Sequence, residues 1–151
     1  MITTEQRNAI SGTGIAYPIS FSINGQAELL SLVTGSPLIN QSIHTILATR
    51  IGERYNNVEF GSRLMELVFE PHDSVTKDLA YYYTNTALQR WEKRIVLTGI
   101  RFVVDASNDA FLGIWIGYTE VETGNTGSYV FPFQTGGEPM DSLNTGNLSL
   151  G

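Results

Sequence analysis

The apolar positions of this chain change period twice, and each change predicts an element. Residues 1–11 are polar and aperiodic, the pattern of an arm that is loose unless something docks on it. From Gly14 the chain runs through Tyr17 and Pro18 into an alternation of Ile19, Phe21 and Ile23 with Ser20 and Ser22, which predicts a half-buried strand. Pro18 has no amide proton to give a ladder, so that strand is an edge or begins there. Asn24-Gly25 then supplies turn chemistry. Behind Ser36-Pro37, Ile39, Ile43, Ile46 and Leu47 fall on one face of a helix. Ser36 is the expected N-cap, Pro37 the first helical residue, and the helix should end near Gly52. The segment from Glu53 to Gly61 is polar with two aromatics and reads as an ordered loop, with Gly61 permitting a tight turn. A short helix over Arg63 to Phe69, stopped by Pro71, should follow, with Phe69 in the core.

A long helix is predicted from an Asp73 or Ser74 cap to about Glu92. Projected at about 100° per residue, Val75, Leu79 and Tyr82 lie opposite Ala80, Ala87 and Trp91. That much apolar surface is either sandwiched inside the domain or shared with a partner. The second half turns to period two. Residues 94–104 place Val96, Ile100, Phe102 and Val104 on one face, with Gly99 marking a bulge. After a turn at Asp105–Asp109, residues 111–121 set Leu112, Ile114, Ile116 and Tyr118 against Gly113, Trp115, Gly117 and Thr119. A turn at Glu122–Gly127 leads to Tyr129–Phe133, completing a three-stranded meander. The stretch 134–151 is rich in Gly, Asn and Ser and cannot form a core. The expected fold is α+β, with helices on one face of a small mixed or antiparallel sheet. Residues 12–133 form the domain, between an arm (1–11) and a tail (134–151).

Composition narrows the function. At 151 residues with 42% hydrophobic and 16% charged residues, the chain can bury one ordinary core. It has no cysteine, so disulfides, thiolate zinc sites and a cysteine nucleophile are excluded. The net charge is -6 and the basic residues are scattered, which excludes a nucleic-acid partner bound by counterion release. Neither a signal peptide nor a membrane-length apolar run is present, so no membrane association is expected. The sequons at Asn40 and Asn147 would matter only on a secretory route. No Gly-x-Ser-x-Gly elbow, phosphate-cradling Gly-Lys-Ser/Thr or His-Glu-x-x-His occurs, and His44 and His72 read as isolated surface residues. No cofactor or metal is expected.

Several ordered segments carry a family resemblance: Gly14 to Pro18, Asn40-Gln41-Ser42-Ile43 with Ile46 to Thr49, Gly52-Glu53-Arg54, Phe60-Gly61-Ser62-Arg63-Leu64 with Leu67, and Phe69-Glu70-Pro71. Together they resemble the wedge proteins of contractile-tail phage baseplates, the sheath-initiator family, which also occurs in bacterial contractile injection systems. Some members are labelled lysozyme-related. Trp91-Glu92-Lys93-Arg94-Ile95 falls where the family carries Glu-Pro-Arg, and the Pro-Phe at 132–133 ends the domain as the family does. The resemblance spans roughly residues 12–133.

It implies a virion protein of the tail baseplate, made in the host bacterial cytoplasm and present in several copies around the tail tube. Its implied fold is that of the tube-proximal part of a sheath subunit. It would template the first sheath ring by exchanging β-strands with neighbouring subunits. The implied partners are other wedge proteins with their helical core bundle, the tail sheath protein and the tail tube. Carried over residue by residue, the signature assigns core-bundle contact to Glu92 and Arg94, and Trp91 beside them is a further candidate. Lys93 departs from the signature; without proline's fixed φ the long helix can run a turn further. The bland reading of Glu92 and Arg94 is a pair of solvated charges at a helix end. Glu53 and Arg54 either anchor a neighbouring wedge protein or simply close the first helix, where Arg suits the helix dipole.

Two other classes stay open. A lysozyme-like glycosidase needs two carboxyl groups about 5–9.5 Å apart across a cleft, and Glu66 with Glu70 at i, i+4 is the candidate pair if the short helix contains both. A soluble binding module would show a concave aromatic pocket in a monomer, whereas assembly calls for Trp91 or tyrosine surface that becomes buried in a complex.

Overall fold

The structure, a computed structural model, describes residues 12–17, 32–71, 73–104 and 111–133. The two arms, the 19–23 strand, the Asn24-Gly25 and 105–109 turns and His72 lie outside the described residues. Strands β1 (Thr13–Ile15) and β2 (Leu32–Thr34) pair antiparallel as a ribbon. Helix α1 (Ser36–Ala48) follows, then a 3₁₀ helix (Leu64–Phe69) and helix α2 (Ser74–Trp91). Strands β3 (Ile95–Val104), β4 (Phe111–Glu120) and β5 (Thr126–Pro132) form an antiparallel sheet in that order. This is the expected α+β meander.

Helix α1 buries Ile39, Ile43, Ile46 and Leu47, as its spacing requires. Each is worth about 1.5–3 kcal/mol on burial, so packing rather than helix propensity holds this element. Its cap is not Ser36 but Gly35, at φ 69°, and Pro37 sits in the first turn. Ser36 is free of capping duty because its hydroxyl donates to Glu120 Oε1, 2.9 Å away and 84 residues on. The helix stops at Ala48, short of Gly52. Thr49 adopts an extended conformation (ψ 128°), and the Ser62 amide donates to its carbonyl.

Helix α2 begins as predicted, with the Asp73 side chain accepting from the Thr76 amide at 2.8 Å. That bond is the first cause holding the Asp73 carboxyl below the usual carboxylate range. The helix buries Thr76, Ala80, Thr84, Ala87 and Leu88 and leaves Val75, Leu79, Tyr81 and Tyr82 exposed. Of the two arrangements open to it, one face is packed inside and the other is uncovered. It does not run a turn further at Lys93; Glu92 is its C-cap, at φ -115°.

The sheet turns Ile114, Ile116, Tyr118 and Phe131 into the core against α1 and α2. Gly113, Trp115, Gly117 and Thr119 take the opposite face, as the alternation of β4 implies. The Trp115 ring lies over Gly117, where a Cβ would stand 2.5 Å from it. In β3 the pairing with β4 skips a residue between Leu97 and Gly99. The bulge is therefore at Thr98, and it reverses the strand's phase. Ile95 and Leu97 point inward before it, Ile100 and Phe102 after it, so Val96 is exposed rather than sharing their face. Phe69, expected in the core, is 86% exposed. The short segment is 3₁₀ rather than α, and its three-residue period buries Leu64 and Leu67 while turning the last residue out.

Candidate functional site

The end of α2 and the start of β3 form a buried electrostatic joint. Glu92 keeps only 3% of its side chain exposed and Arg94 keeps 37%. Arg94 Nε donates to Glu92 Oε1 at 2.8 Å and Nη2 to Oε2 at 2.6 Å, a two-pronged fork. Burial pushes the Glu92 carboxyl up, but the bonds from Arg94 and from the Ser42 hydroxyl, with the Arg94 charge, outweigh it and hold the group below its ordinary range. The same fork raises Arg94. Glu120, also buried, faces Arg94 electrostatically and accepts from Ser36 and from Thr123 Oγ1 at 2.5 Å. Val121 N donates to the Arg94 carbonyl. Arg94 thus ties α1, α2, β3 and β4 together, and Glu92 is not a solvated charge at a helix end.

The loop after α1 is equally determined. Gly61, at φ 113°, is the tight turn its residue type implied: a Cβ there would lie 2.3 Å from the Thr49 carbonyl oxygen. Closing this far lets Ser62 N reach Thr49 O and Ser62 Oγ reach Leu47 O, both at 2.9 Å. Glu53 Oε2 accepts from the Arg50 amide at 2.9 Å, so Glu53 closes the chain behind the helix. The Arg54 guanidinium lies over the Phe60 ring at 3.8 Å, and Phe60 meets Trp91 at 5.2 Å. Arg90 lies 5.0 Å from the Trp91 centroid and is paired with Glu59. Trp91 is thus half-buried between Phe60 and Arg90, not an open aromatic.

Glu66 and Glu70 are not brought into a cleft. Glu66 pairs with Arg63 on the surface, and Glu70 is the extended residue that ends the 3₁₀ helix. His44 is half-buried rather than a surface residue. Its Nδ1 is 2.8 Å from the Tyr129 hydroxyl, and burial lowers its pKa. Among the described residues no cluster of three metal-ligating side chains occurs, and no helix is long and apolar enough to cross a membrane. A groove of about 540 Å³ lies between α2 and β3, and a larger one of about 760 Å³ opens beside α1 at Gln41, His44 and Tyr129. Ile95 to Ile100 line the α2–β3 groove consecutively, facing Tyr81, Asn85 and Gln89 of the helix.

Of the candidate contact residues, the structure joins Glu92 to Arg94 and places Trp91 against the Arg54 stack. Glu53 is turned back on its own loop. Sequence reasoning missed Glu120, Ser36 and Ser42 as partners in the joint, and Phe60 as the link from Arg54 to Trp91. An acidic residue two positions after Tyr118, on the inward face of β4, was the one signal available for Glu120.

Among the described residues, the buried charges are spent on the domain's own joints, β3 pairs on one side only, and one face of α2 is exposed. The profile of the baseplate wedge protein gp25 family matches residues 34–124. The chain belongs to that family and is a structural baseplate component of a contractile tail system. A Geobacter sulfurreducens protein described as a candidate tail lysozyme is 28% identical, with 72% of this chain and all of that one covered at a TM-score of 0.61. A chain of the anti-feeding prophage baseplate shares the fold at 18% identity and TM-score 0.61, over 92% of this chain and 93% of that one. A chain of the post-contraction pyocin R2 baseplate is 26% identical, with coverage of 68% and 97% and a TM-score of 0.50. No curated protein matches in sequence.

Proposed function

We propose that this wedge protein surrounds the tail tube and templates the first sheath ring by accepting a β-strand from a neighbouring sheath or wedge subunit along β3. The observation that carries this is the α2–β3 groove. Six consecutive residues of an edge strand line it, and among the described residues β3 pairs only with β4. A strand laid there would hydrogen-bond the free edge, while Asn85 and Gln89 offer polar groups from the helix wall. β5 is the other edge of the sheet, but no comparable run of its residues lines a described groove.

Other baseplate proteins are the proposed neighbours, in keeping with relatives seen in anti-feeding prophage and pyocin baseplates. The helical core bundle of neighbouring wedge proteins is the proposed partner of the exposed part of Arg94. The rest of the joint orients that guanidinium.

A lysozyme role is the second reading, favoured only by the description of the Geobacter relative. The carboxyl pair that the sequence offered for it, Glu66 and Glu70, lines no described cavity. Electron cryomicroscopy of the particle containing this chain tests the proposal. Density beside the tube, with a foreign strand along β3, is the expected result. A position remote from the tube and sheath, or an uncovered β3 edge in the assembled particle, would refute it.

A further inference from the structure

We infer that the loop following α1 is a second docking site, in which Arg54 receives a carboxylate from another baseplate protein. The inference rests on the baseplate reading but not on the β3 groove. Four of the nine basic residues, Arg50, Arg54, Arg63 and Arg90, gather at this end of a chain whose net charge is -6. Arg63 is satisfied by Glu66 and Arg90 by Glu59. Arg54 has no carboxylate partner among the described residues; its guanidinium is held face-on to Phe60 at 3.8 Å, in a stack continued by Trp91 and Arg90.

A guanidinium stacked on its face keeps its edge donors free, and the ring fixes their direction. The entropy of ordering a long side chain is thereby spent before binding, which is how a preorganised contact gains affinity. Around it Tyr55 is 97% exposed, and Ile51 and Val58 are also open. An oriented Arg beside exposed Tyr and aliphatic side chains has the composition of an interface hot spot.

The occupant follows from charge. A polyanion such as nucleic acid would be repelled by the acidic remainder of the chain, whereas one Asp or Glu on a protein surface, flanked by apolar residues, fits a single unpaired fork. Nothing about the loop needs Arg54 for closure, because Gly61, Ser62 and Glu53 already close it.

The test uses the full chain in its own particle. Arg54→Gln keeps a planar group over Phe60 without the charge, Arg54→Lys keeps the charge without the fork, and Arg54→Glu reverses it. With thermal stability unchanged, Gln and Glu should cut incorporation into particles by about tenfold or more, the scale of losing one partner of a desolvated charge pair. Lys should fall between them and wild type. A photo-crosslinking residue at Tyr55 should capture a baseplate peptide containing Asp or Glu, and changing that residue to Lys should rescue Arg54→Glu. Normal incorporation of the Gln and Glu variants, or a captured peptide without a carboxylate, overturns the inference while leaving the baseplate role intact. So does unfolding of both the Gln and Lys variants, which would make Arg54 a loop staple. Absence of the wild-type chain from the particle refutes the baseplate role, and this inference with it.

Discussion

Gly61→Ala is expected to be the most damaging added methyl among the described glycines, and Gly52→Ala supplies its control. Both glycines have positive φ, 113° and 91°, but a Cβ at Gly52 meets nothing within 4 Å, whereas at Gly61 it meets the Thr49 oxygen at 2.3 Å. Backbone strain alone costs about 1–3 kcal/mol at either position. At Gly61 the overlap is with main chain, which cannot rotate away, so the loop must retreat. Retreat breaks Ser62 N–Thr49 O and the buried Ser62 Oγ–Leu47 O bond, each worth about 0.5–1.5 kcal/mol.

The expected total is about 2–6 kcal/mol against about 1–3 for Gly52→Ala, from strain plus two hydrogen bonds in one case and strain alone in the other. On a domain with about 5–15 kcal/mol of stability, the first leaves a marginal fold. Urea unfolding of the three proteins at one pH reads the difference in midpoints, with the slope m unchanged if the denatured states are alike. At about 2–4 °C per kcal/mol for a chain of this size, the melting temperatures should separate visibly. Equal losses at the two glycines would refute the steric argument and place the whole effect in backbone strain.

Four further outcomes follow from the joint, the core and the open faces. Glu92→Gln should cost about 2 kcal/mol by weakening two charge-assisted bonds, a figure moderated by the partial exposure of Arg94. Because the folded-state pKa of Glu92 is lowered, its contribution is complete above the unfolded-state value and is lost as pH falls through the folded one; urea midpoints across an acid series should fall less steeply in the variant. Thr84→Val should stabilise by about 1 kcal/mol, since Thr84 Oγ1 is buried without a hydrogen-bond partner; a loss in calorimetric melting would show that a water serves it. Lys93→Pro should change stability by no more than about 1 kcal/mol, because Glu92 already lies outside the helical region at φ -115°, ψ 86°, and a larger loss would show that the Lys93 Nζ to Gln89 O bond matters more than the backbone. Phe69→Ser with Tyr82→Ser should alter the purified protein by less than about 0.5 kcal/mol each yet reduce incorporation into particles; a matching loss in both would mean that these side chains serve the fold.

The division between what was readable and what was not follows the range of the forces. The α1 stripe of Ile39, Ile43, Ile46 and Leu47, the Asp73 cap and the β4 alternation were determined by the sequence itself. Each depends on periodicity or on a bond three residues long. Gly61 was legible for the same reason, as a residue type that only a positive φ requires, and the ordered motifs from Gly52 to Pro71 pointed to the baseplate family that the profile match supports.

Tertiary structure alone decided the rest. One inserted residue at Thr98 reversed the phase of β3 and sent Val96 outward; Gly99 signalled a bulge nearby, but its position and the phase change were decided by pairing with β4. A 3₁₀ rather than an α period turned Phe69 out of the core. Ser36 gave up its cap to serve Glu120, and Glu92 was buried because Arg94 and Ser42 could satisfy it there. Local pattern fixes which face a side chain takes, but whether a polar group can be buried depends on partners that only the folded chain brings within about 3 Å.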